Sequence, residues 1–203
     1  IPIQVGSALT VPANWEEIRD NLGDNISEKN GNYSECTALY WMWKHAPRTD
    51  YIGLCHYRRH FDISEEEFIK LEENQIEVLA TAPTFVAEGI ESFFSSLTPH
   101  TDIELLLKAI ATVQPEYLPA AESFFKARFF PPCNLSIMRY ERFQEYASFV
   151  FSVTFEIDRF YGEMGICRKD RYMGFLVECL LGIFLMRNKG RLKIGYTDMV
   201  FFE

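Results

Sequence analysis

Apolar and polar residues alternate along the chain in blocks that predict strands separated by helices. Short apolar runs between turn residues predict strands, and apolar residues at spacings of three and four predict helices. The predicted strands cover residues 51–56, 76–81, 133–138 and 192–196. The predicted helices cover residues 33–45, about ten residues from Ser64, and residues 101–113, 119–126, 141–160 and 169–187. This alternation predicts an α/β fold with a mostly parallel sheet flanked by helices.

Two of the predicted helices begin with the residue spacing of a capping box. Ser64 precedes Glu67, and Thr101 precedes Glu104, each by three positions. In a capping box the hydroxyl accepts a hydrogen bond from the backbone N–H three residues later, and the glutamate accepts one from the backbone N–H of the cap. Both pairs therefore predict the residue at which a helix begins.

The composition is that of one folded domain, residues 1–203, without repeats, low-complexity segments or long linkers. Lys and Arg number 20 against 29 Asp and Glu, so the net charge of −9 argues against nucleic acid as a partner. The longest apolar run, 172–186, is too short to span a bilayer. The five cysteines are odd in number and lack CxxC spacing, so we expect buried free thiols in a cytoplasmic protein.

Cationic side chains are concentrated near the end of the predicted strand 51–56, although the chain as a whole is acidic. The cluster comprises Lys44, His45, Arg48, His56, Arg58, Arg59 and His60. Two adjacent arginines at the carboxyl end of a strand can hold a phosphate or diphosphate through paired hydrogen bonds. The alternative is that these arginines pair with Asp50, Asp62 and the glutamates at 65–67.

His56 is open to three interpretations, namely a general base, a metal ligand or a histidine whose hydrogen bonds are satisfied in the core. Side chains alternate along a strand, so His56 and Arg58 are expected on one face and Tyr57 and Arg59 on the other. A polar loop at 24–32 also has two interpretations. It either binds the hydroxyls of a sugar or ribose, or it is a capped turn.

Glu178 is the only acid between Met173 and Met186, in a predicted helix that is otherwise apolar. A carboxylate in that setting either pairs with Arg171, two turns earlier on the same face, or has a raised pKa suited to proton transfer. Gly174 in the same helix predicts the close approach of another backbone or of a ligand.

Several common motifs are absent from the sequence. It contains no GxGxxG, Walker A, GxSxG or HExxH, and no DxD follows a predicted strand. We therefore predict no metal-binding residues from the pattern alone.

Four segments in the first third of the chain resemble a known family. They are residues 2–6 (PIQVG), 23–30 (GDNISEKN), 35–41 (ECTALYW) and 51–59 (YIGLCHYRR). In that order they are similar to the bacterial domain-of-unknown-function family 4422. Its members are glycosyltransferase-like proteins of capsule, exopolysaccharide and O-antigen gene clusters. The similarity continues, more weakly, at 133–138 and 171–178.

The resemblance implies a GT-A-like, Rossmann-related fold, here without the opening strand that family members carry ahead of the PIQVG segment. It implies transfer of a sugar, galactofuranose in some relatives, from a nucleotide-diphosphate donor such as a UDP-sugar. The acceptor would be a cell-surface polysaccharide or a lipid-linked glycan. The protein would then work in the cytoplasm, with peripheral association at the inner face of the membrane.

The resemblance also implies roles for particular residues. The segment 56–59 lies where many GT-A enzymes have DxD, so the two arginines would neutralise the departing diphosphate in place of a divalent metal. A dependence on Mn²⁺ or Mg²⁺ stays open as the alternative. The residues expected to bind the donor are Arg58, Arg59, Asp24, Asn25, Lys29 and Asn134. The candidates for catalysis are Glu178, His56, Asp102 and His100.

Two other functions remain open from the sequence. One is a non-catalytic module that binds glycan or nucleotide within a polysaccharide assembly complex. Such a module would keep the aromatic and polar surface without an activated base. The other is a hydrolase that uses His56 and Asp50, although no nucleophile motif accompanies them.

Overall fold

A mixed four-stranded sheet packed against long helices forms the centre of the computed structural model, which describes residues 1–10 and 18–202. The strands are β1 Ile3–Gln4, β2 Ile18–Arg19, β3 Tyr51–Leu54, β4 Arg59–Phe61, β5 Val78–Thr81, β6 Thr84–Phe85, β7 Phe129–Phe130, β8 Ser136–Arg139, β9 Ile194–Thr197 and β10 Met199–Phe201. The α-helices are α1 Asn30–Tyr33, α2 Cys36–His45, α3 Glu65–Glu73, α4 Ile90–Leu97, α5 His100–Val113, α6 Leu118–Phe125, α7 Tyr140–Glu163 and α8 Tyr172–Arg187. Single 3₁₀ turns cover Ser27–Lys29 and Pro115–Tyr117.

The central sheet has the strand order β3-β8-β5-β9. In this sheet β8 runs antiparallel to both of its neighbours, and β5 and β9 pair in parallel. The prediction of a mostly parallel sheet is therefore wrong, although the α/β class is confirmed. Alternating helices and strands were interpreted as repeated parallel crossovers, but the long connection between β5 and β8 returns the chain in the opposite direction.

Burial explains why these segments form the central elements. All four residues of β5 are buried, as expected for an apolar run that is covered on both faces. Helix α8 is apolar on almost every side and is surrounded by α1, α5, α6 and α7. The buried apolar side chains of helices and sheet form one contiguous cluster.

Several local predictions can be compared with the structure. The Ser64–Glu67 capping box is confirmed, with both of its hydrogen bonds present. The Thr101–Glu104 cap is wrong, because α5 already begins at His100 after Pro99. Helix α4 was not predicted, and neither were the two-stranded pairs β1–β2, β4–β10 and β6–β7. No helix in the described ranges is long and apolar enough to cross a membrane.

All five cysteines are free thiols, as the sequence predicts, but they are not all buried. Cys36 and Cys179 are buried and Cys133 is partly buried, whereas Cys55 and Cys167 are exposed. The exposed pair lies outside the regular elements, where apolar neighbours in the sequence do not imply a covering layer in the fold.

Candidate functional site

The segment that follows β3 is a tight hairpin rather than a continuing strand. The backbone N–H of His56 donates to the carbonyl of Arg59 at 2.9 Å, and the N–H of Arg59 donates to the carbonyl of His56 at 3.2 Å. The chain therefore reverses at Tyr57 and Arg58, which corrects the predicted alternation of faces along residues 56–59. The reversal places Arg59–Phe61 as β4 against β10 and leaves Tyr57 88% exposed at the tip.

A cleft of about 550 Å³ opens between this hairpin, the first residues of the chain, the start of α2 and the start of α8. Its lining residues are Ile3, Val5, Asn30, Gly31, Ser34, Glu35, Ala38, Leu54, Cys55, His56, Tyr57, Arg58, Arg59 and Arg171. Three arginines and one histidine thus meet at one opening in an acidic protein. The structure brings His56, Arg58 and Arg59 together there, as the sequence predicts.

The arginines of the hairpin rest on aromatic rings instead of carboxylates. The guanidinium of Arg58 lies 5.1 Å from the centre of the Tyr57 ring, and that of Arg59 lies 5.2 Å from the centre of the Phe201 ring. Within residues 1–10 and 18–202, the Nε of Arg59 is buried without a hydrogen-bond partner. The alternative pairing with Asp50, Asp62 and the glutamates at 65–67 is not seen in those ranges.

Glu35 lies at the centre of the polar groups in the cleft. Its Oε1 is 3.9 Å from His56 Nε2, and its Oε2 is 4.0 Å from an Nη of Arg171. The Glu35 side chain is only 18% exposed, whereas that of Arg171 is 67% exposed. Arg171 also donates from Nε to the Ser34 hydroxyl at 2.9 Å, which ties the start of α8 to the start of α2.

The environment of His56 disfavours its protonated form. Burial lowers its pKa, and the charges of Arg59 and Arg171 lower it further, while Glu35 and a hydrogen bond to the backbone at Cys133 oppose the change. Among the described residues, His56 Nε2 is buried and makes no hydrogen bond. The imidazole of this cleft residue therefore has one ring nitrogen without a partner.

Glu178 lies behind the cleft and is not paired with Arg171. Its Oε2 accepts a hydrogen bond of 3.2 Å from the backbone N–H of Cys133. Burial raises the pKa of Glu178 to about 7, and the nearby charge of Glu35 adds to the rise. Of the two interpretations of this residue, the structure favours the raised pKa. Arg171 is the cap of α8 and points away toward Glu35 and Ser34.

Three residues beside the cleft have backbone conformations that non-glycine residues rarely adopt. Ser34 has φ 52°, Cys133 has φ 70° and Asn134 has φ 49°. Gly174 on α8 leaves room for Ser34, because a Cβ at position 174 would lie 3.3 Å from the Ser34 hydroxyl oxygen. The group that approaches Gly174 is thus the Ser34 side chain, and not the backbone or ligand that the sequence predicts.

Asp20 organises the wall formed by the first residues, and the sequence analysis missed it. This fully buried carboxylate accepts hydrogen bonds from the backbone N–H groups of Gly6 and Ser7 at 2.8 and 3.0 Å. It also accepts from the hydroxyls of Ser27 and Thr37, each at 2.6 Å. Only its position before the polar loop could have drawn attention to it.

Comparison with known proteins gives the family. The model of the family described as "Domain of unknown function (DUF4422)" matches residues 1–189. This chain is a DUF4422 protein. The resemblance found in the sequence is therefore confirmed. No curated protein matches the chain.

The DUF4422 chain also has a structural neighbour, the apo structure of the bifunctional glycosyltransferase WbbM. The two superpose with a TM-score of 0.85 at 24% sequence identity. The match covers 98% of this chain but 41% of WbbM, so the chain spans about two fifths of that protein. At this identity the likeness establishes a common fold.

Two of the predicted catalytic residues lie away from the cleft of the DUF4422 domain. Asp102 is fully buried and binds Arg168 at 2.8 Å, and it also accepts hydrogen bonds from Thr98 and Tyr161. His100 is exposed at the start of α5, 3.8 Å from Glu104. Asp102 therefore fastens α5 to the segment before α8, and neither residue lines the cleft.

Of the loop at 24–32, Asn30 and Gly31 line the cleft, whereas the predicted donor-binding residues Asp24, Asn25 and Lys29 lie outside it. Asp24 accepts a hydrogen bond from Tyr40 at 3.0 Å, and Lys29 pairs with Asp158 on α7. Asn25 caps its own turn, with its side-chain oxygen accepting from the Ser27 N–H at 3.1 Å. For residues 24–29 these contacts favour a capped turn over a sugar-binding loop.

Asn134, also predicted to bind the donor, lies in the core of the DUF4422 domain. Its Oδ1 accepts a hydrogen bond of 2.7 Å from the Tyr146 hydroxyl, and the side chain is buried. These contacts leave little of its amide for a ligand. Its left-handed backbone instead shapes the segment that holds Glu178.

Few side chains in the described part of this domain are placed to ligate a metal ion. No group of three His, Cys, Asp or Glu side chains within residues 1–10 and 18–202 is close enough to hold a metal ion. At the cleft itself, Glu35 and His56 are the two such side chains that face each other. One carboxylate and one imidazole fit poorly with Mg²⁺, which prefers oxygen ligands.

Proposed function

We propose that the domain is a glycosyltransferase that moves a sugar from a nucleoside-diphosphate donor to a hydroxyl of a cell-surface glycan. The observation that carries the proposal is the meeting of Arg58, Arg59 and Arg171 at one cleft of a chain whose net charge is −9. Since no carboxylate within hydrogen-bond distance neutralises the hairpin arginines in the described ranges, the cleft is suited to a dianionic group.

A diphosphate fits these residues better than a single carboxylate does. Guanidinium groups form paired hydrogen bonds with phosphate oxygens, and three of them can neutralise the charge that develops as a diphosphate departs. The unpartnered Nε of Arg59 supplies a donor that is already desolvated. The stabilisation then requires little rearrangement of the protein during the reaction.

The fold supports the same proposal. The domain shares its fold with WbbM, whose name describes a bifunctional glycosyltransferase. By analogy we propose a UDP-sugar as donor, with galactofuranose as the first sugar to test. A GT-A-type fold often uses Mn²⁺ or Mg²⁺ at the diphosphate, but the poor donor set of this cleft leads us to assign the charge neutralisation to arginine.

We further propose that the acceptor is a growing glycan, free or lipid-linked, and that the domain works in the cytoplasm at the inner face of the membrane. The exposed Tyr57 at the hairpin tip provides an aromatic surface on which a sugar ring can pack. The apolar side chains of Ile3 and Val5 also line the cleft.

The proposal is tested by incubating the protein with a panel of nucleotide sugars and measuring the release of nucleoside diphosphate, with and without glycan acceptors. The double variant Arg58→Ala/Arg59→Ala should lose both binding and release. Arg48→Ala is the matched control, because Arg48 is an exposed arginine that pairs with Glu141 and does not line the cleft.

Three outcomes are informative. Release of nucleoside diphosphate that depends on the hairpin arginines supports a transferase. Binding of UDP without turnover of any donor, in the presence of acceptors, would indicate a non-catalytic binding module instead. No binding of any nucleoside diphosphate would contradict the proposal.

A further inference from the structure

We propose that Glu35 is the general base of this domain, and that His56 orients the acceptor hydroxyl whose proton Glu35 removes. The inference rests on the proposed glycosyltransferase function and deepens it, because it assigns the acceptor side of the same cleft. It is carried by the geometry of two side chains that face each other without a hydrogen bond between them.

The position of Glu35 is fixed by the start of α2. The residue is the cap of that helix, and its carbonyl accepts hydrogen bonds from the N–H groups of Ala38 at 3.0 Å and Leu39 at 3.3 Å. The backbone is therefore rigid while the side chain lines the cleft. A catalytic group on a helix end is held more precisely than one on a free loop.

The carboxylate of Glu35 has hydrogen-bonding capacity to spare. The nearest nitrogen atoms, His56 Nε2 and a guanidinium nitrogen of Arg171, are 3.9 and 4.0 Å away, beyond hydrogen-bond distance. His56 Nε2 is itself buried without a partner among the described residues. We place the acceptor hydroxyl beside these two side chains, where Glu35 would accept its proton.

The other candidate carboxylates are less accessible than Glu35. Asp102 and Asp20 are fully buried and bound to several donors each. Glu178 is bound to the Cys133 N–H and does not line the cleft. Within the part of the chain that the structure describes, Glu35 is the one carboxylate among the lining residues.

The step balances with a nucleoside-diphosphate sugar and an acceptor alcohol as reactants. The acceptor oxygen forms a bond to the anomeric carbon while the bond from that carbon to the diphosphate oxygen breaks. The electron pair of the broken bond leaves with the nucleoside diphosphate, next to the arginines. The hydroxyl proton passes to Glu35, which returns it to water after the products leave.

The decisive variant is Glu35→Gln, which keeps the size and polarity of the side chain but cannot accept the proton. We expect kcat for transfer to fall by about 10²–10⁴-fold, the usual share of general base catalysis, with KM for the donor and the affinity for UDP almost unchanged. Glu35→Asp keeps a carboxylate and should retain more activity than Glu35→Gln. Glu28→Gln, an exposed carboxylate on the preceding 3₁₀ turn, is the matched control.

A structural role for Glu35 predicts a different result, because loss of its contacts would weaken UDP binding and thermal stability together with kcat. Transfer by Glu35→Gln within tenfold of the wild-type kcat overturns the inference. The inference is also overturned if Glu35→Gln and Glu35→Asp both lose their fold and lose activity to the same extent. If the wild-type protein neither binds UDP nor releases it from any donor, the proposed function itself is wrong. That result differs from one in which the wild-type protein transfers sugar without depending on Glu35.

Discussion

The backbone N–H of Cys133 donates a hydrogen bond of 3.2 Å to the Glu178 carboxylate, and this contact joins helix α8 to the segment before β8. Cys133 and the next residue both have left-handed backbone conformations. A single buried carboxylate thus holds these two elements together.

The first prediction concerns Glu178 and the pH dependence of stability. Its pKa is about 7 in the folded protein and about 4.5 in the unfolded chain, so the folded state holds more protons between these values. The contribution of Glu178 to stability is therefore largest below about pH 4.5, falls as pH rises toward about 7, and stays constant above. Each pKa unit corresponds to roughly 1.4 kcal/mol, which gives about 3 kcal/mol in total as an upper estimate.

Glu178→Gln removes this titration while keeping an oxygen that accepts the Cys133 hydrogen bond. Relative to wild type, the variant should gain about 2–3 kcal/mol of unfolding free energy between pH 5 and pH 8. Urea unfolding at both pH values measures the difference. Exposed Glu122→Gln serves as the control. A difference between Glu178→Gln and wild type that does not change with pH would contradict the raised pKa.

The second prediction concerns the two hairpin arginines. Changing either Arg58 or Arg59 to Ala should weaken UDP binding by about 1.5–3 kcal/mol, the range for hydrogen bonds to charged groups, or roughly 10- to 150-fold in Kd. The loss should be larger for Arg59, whose Nε is already desolvated. Arg59→Lys should recover only part of the affinity, since Lys cannot form the paired hydrogen bonds. Titration calorimetry with UDP decides, and two variants with wild-type affinity would exclude this site.

The third prediction concerns metal ions. If arginine side chains neutralise the charge of the diphosphate, excess chelator should leave the UDP affinity within about twofold of its untreated value, because the guanidinium contacts stay intact. Equilibrium binding with and without EDTA, followed by addition of Mn²⁺ or Mg²⁺, measures the effect. UDP binding that is lost with chelator and restored by metal would show that a metal ion, and not the arginines, neutralises the diphosphate.

The fourth prediction concerns Asp20, which is buried and accepts four hydrogen bonds. Asp20→Ala removes the acceptor of four donors, of which the Thr37 hydroxyl keeps the Ser34 carbonyl at 3.2 Å. The cost is about 1–3 kcal/mol for each group that finds no replacement. We expect a loss of at least about 3 kcal/mol, or a Tm lower by roughly 6–12 °C. Asp24→Ala is the control, because Asp24 is exposed and makes one such bond. Equal Tm values for the two variants would show that Asp20 does not hold this wall.

Much of the secondary structure could be predicted because buried apolar runs and capping residues are local signals. Residues Val78–Thr81 are covered on both faces and were recognised as a strand from composition alone. The direction of β8 could not be predicted in this way, since it depends on how the chain returns after α6. The hairpin at 56–59 was mistaken for a strand because the pairing of β4 with β10 joins residues far apart in the sequence.

Candidate site residues could be predicted from the sequence where they differed chemically from their neighbours. Glu178 stood out as a lone acid in an apolar helix, and two adjacent arginines stood out in an acidic chain. Glu35 gave no such signal, because an acid at the start of a helix is ordinary. It becomes a cleft residue only when residues 56 and 171 approach it in three dimensions.

Backbone strain beside the cleft has a consequence for protein engineering. Ser34, with φ 52° and ψ −132°, and Cys133, with φ 70°, would both be relaxed by glycine, which adopts positive φ without steric conflict. A selection for heat resistance alone would therefore favour Ser34→Gly and Cys133→Gly. The same changes would remove the hydroxyl that holds Arg171 and loosen the peptide that binds Glu178. Under the proposed function, a more heat-resistant protein obtained in this way would transfer sugar more slowly.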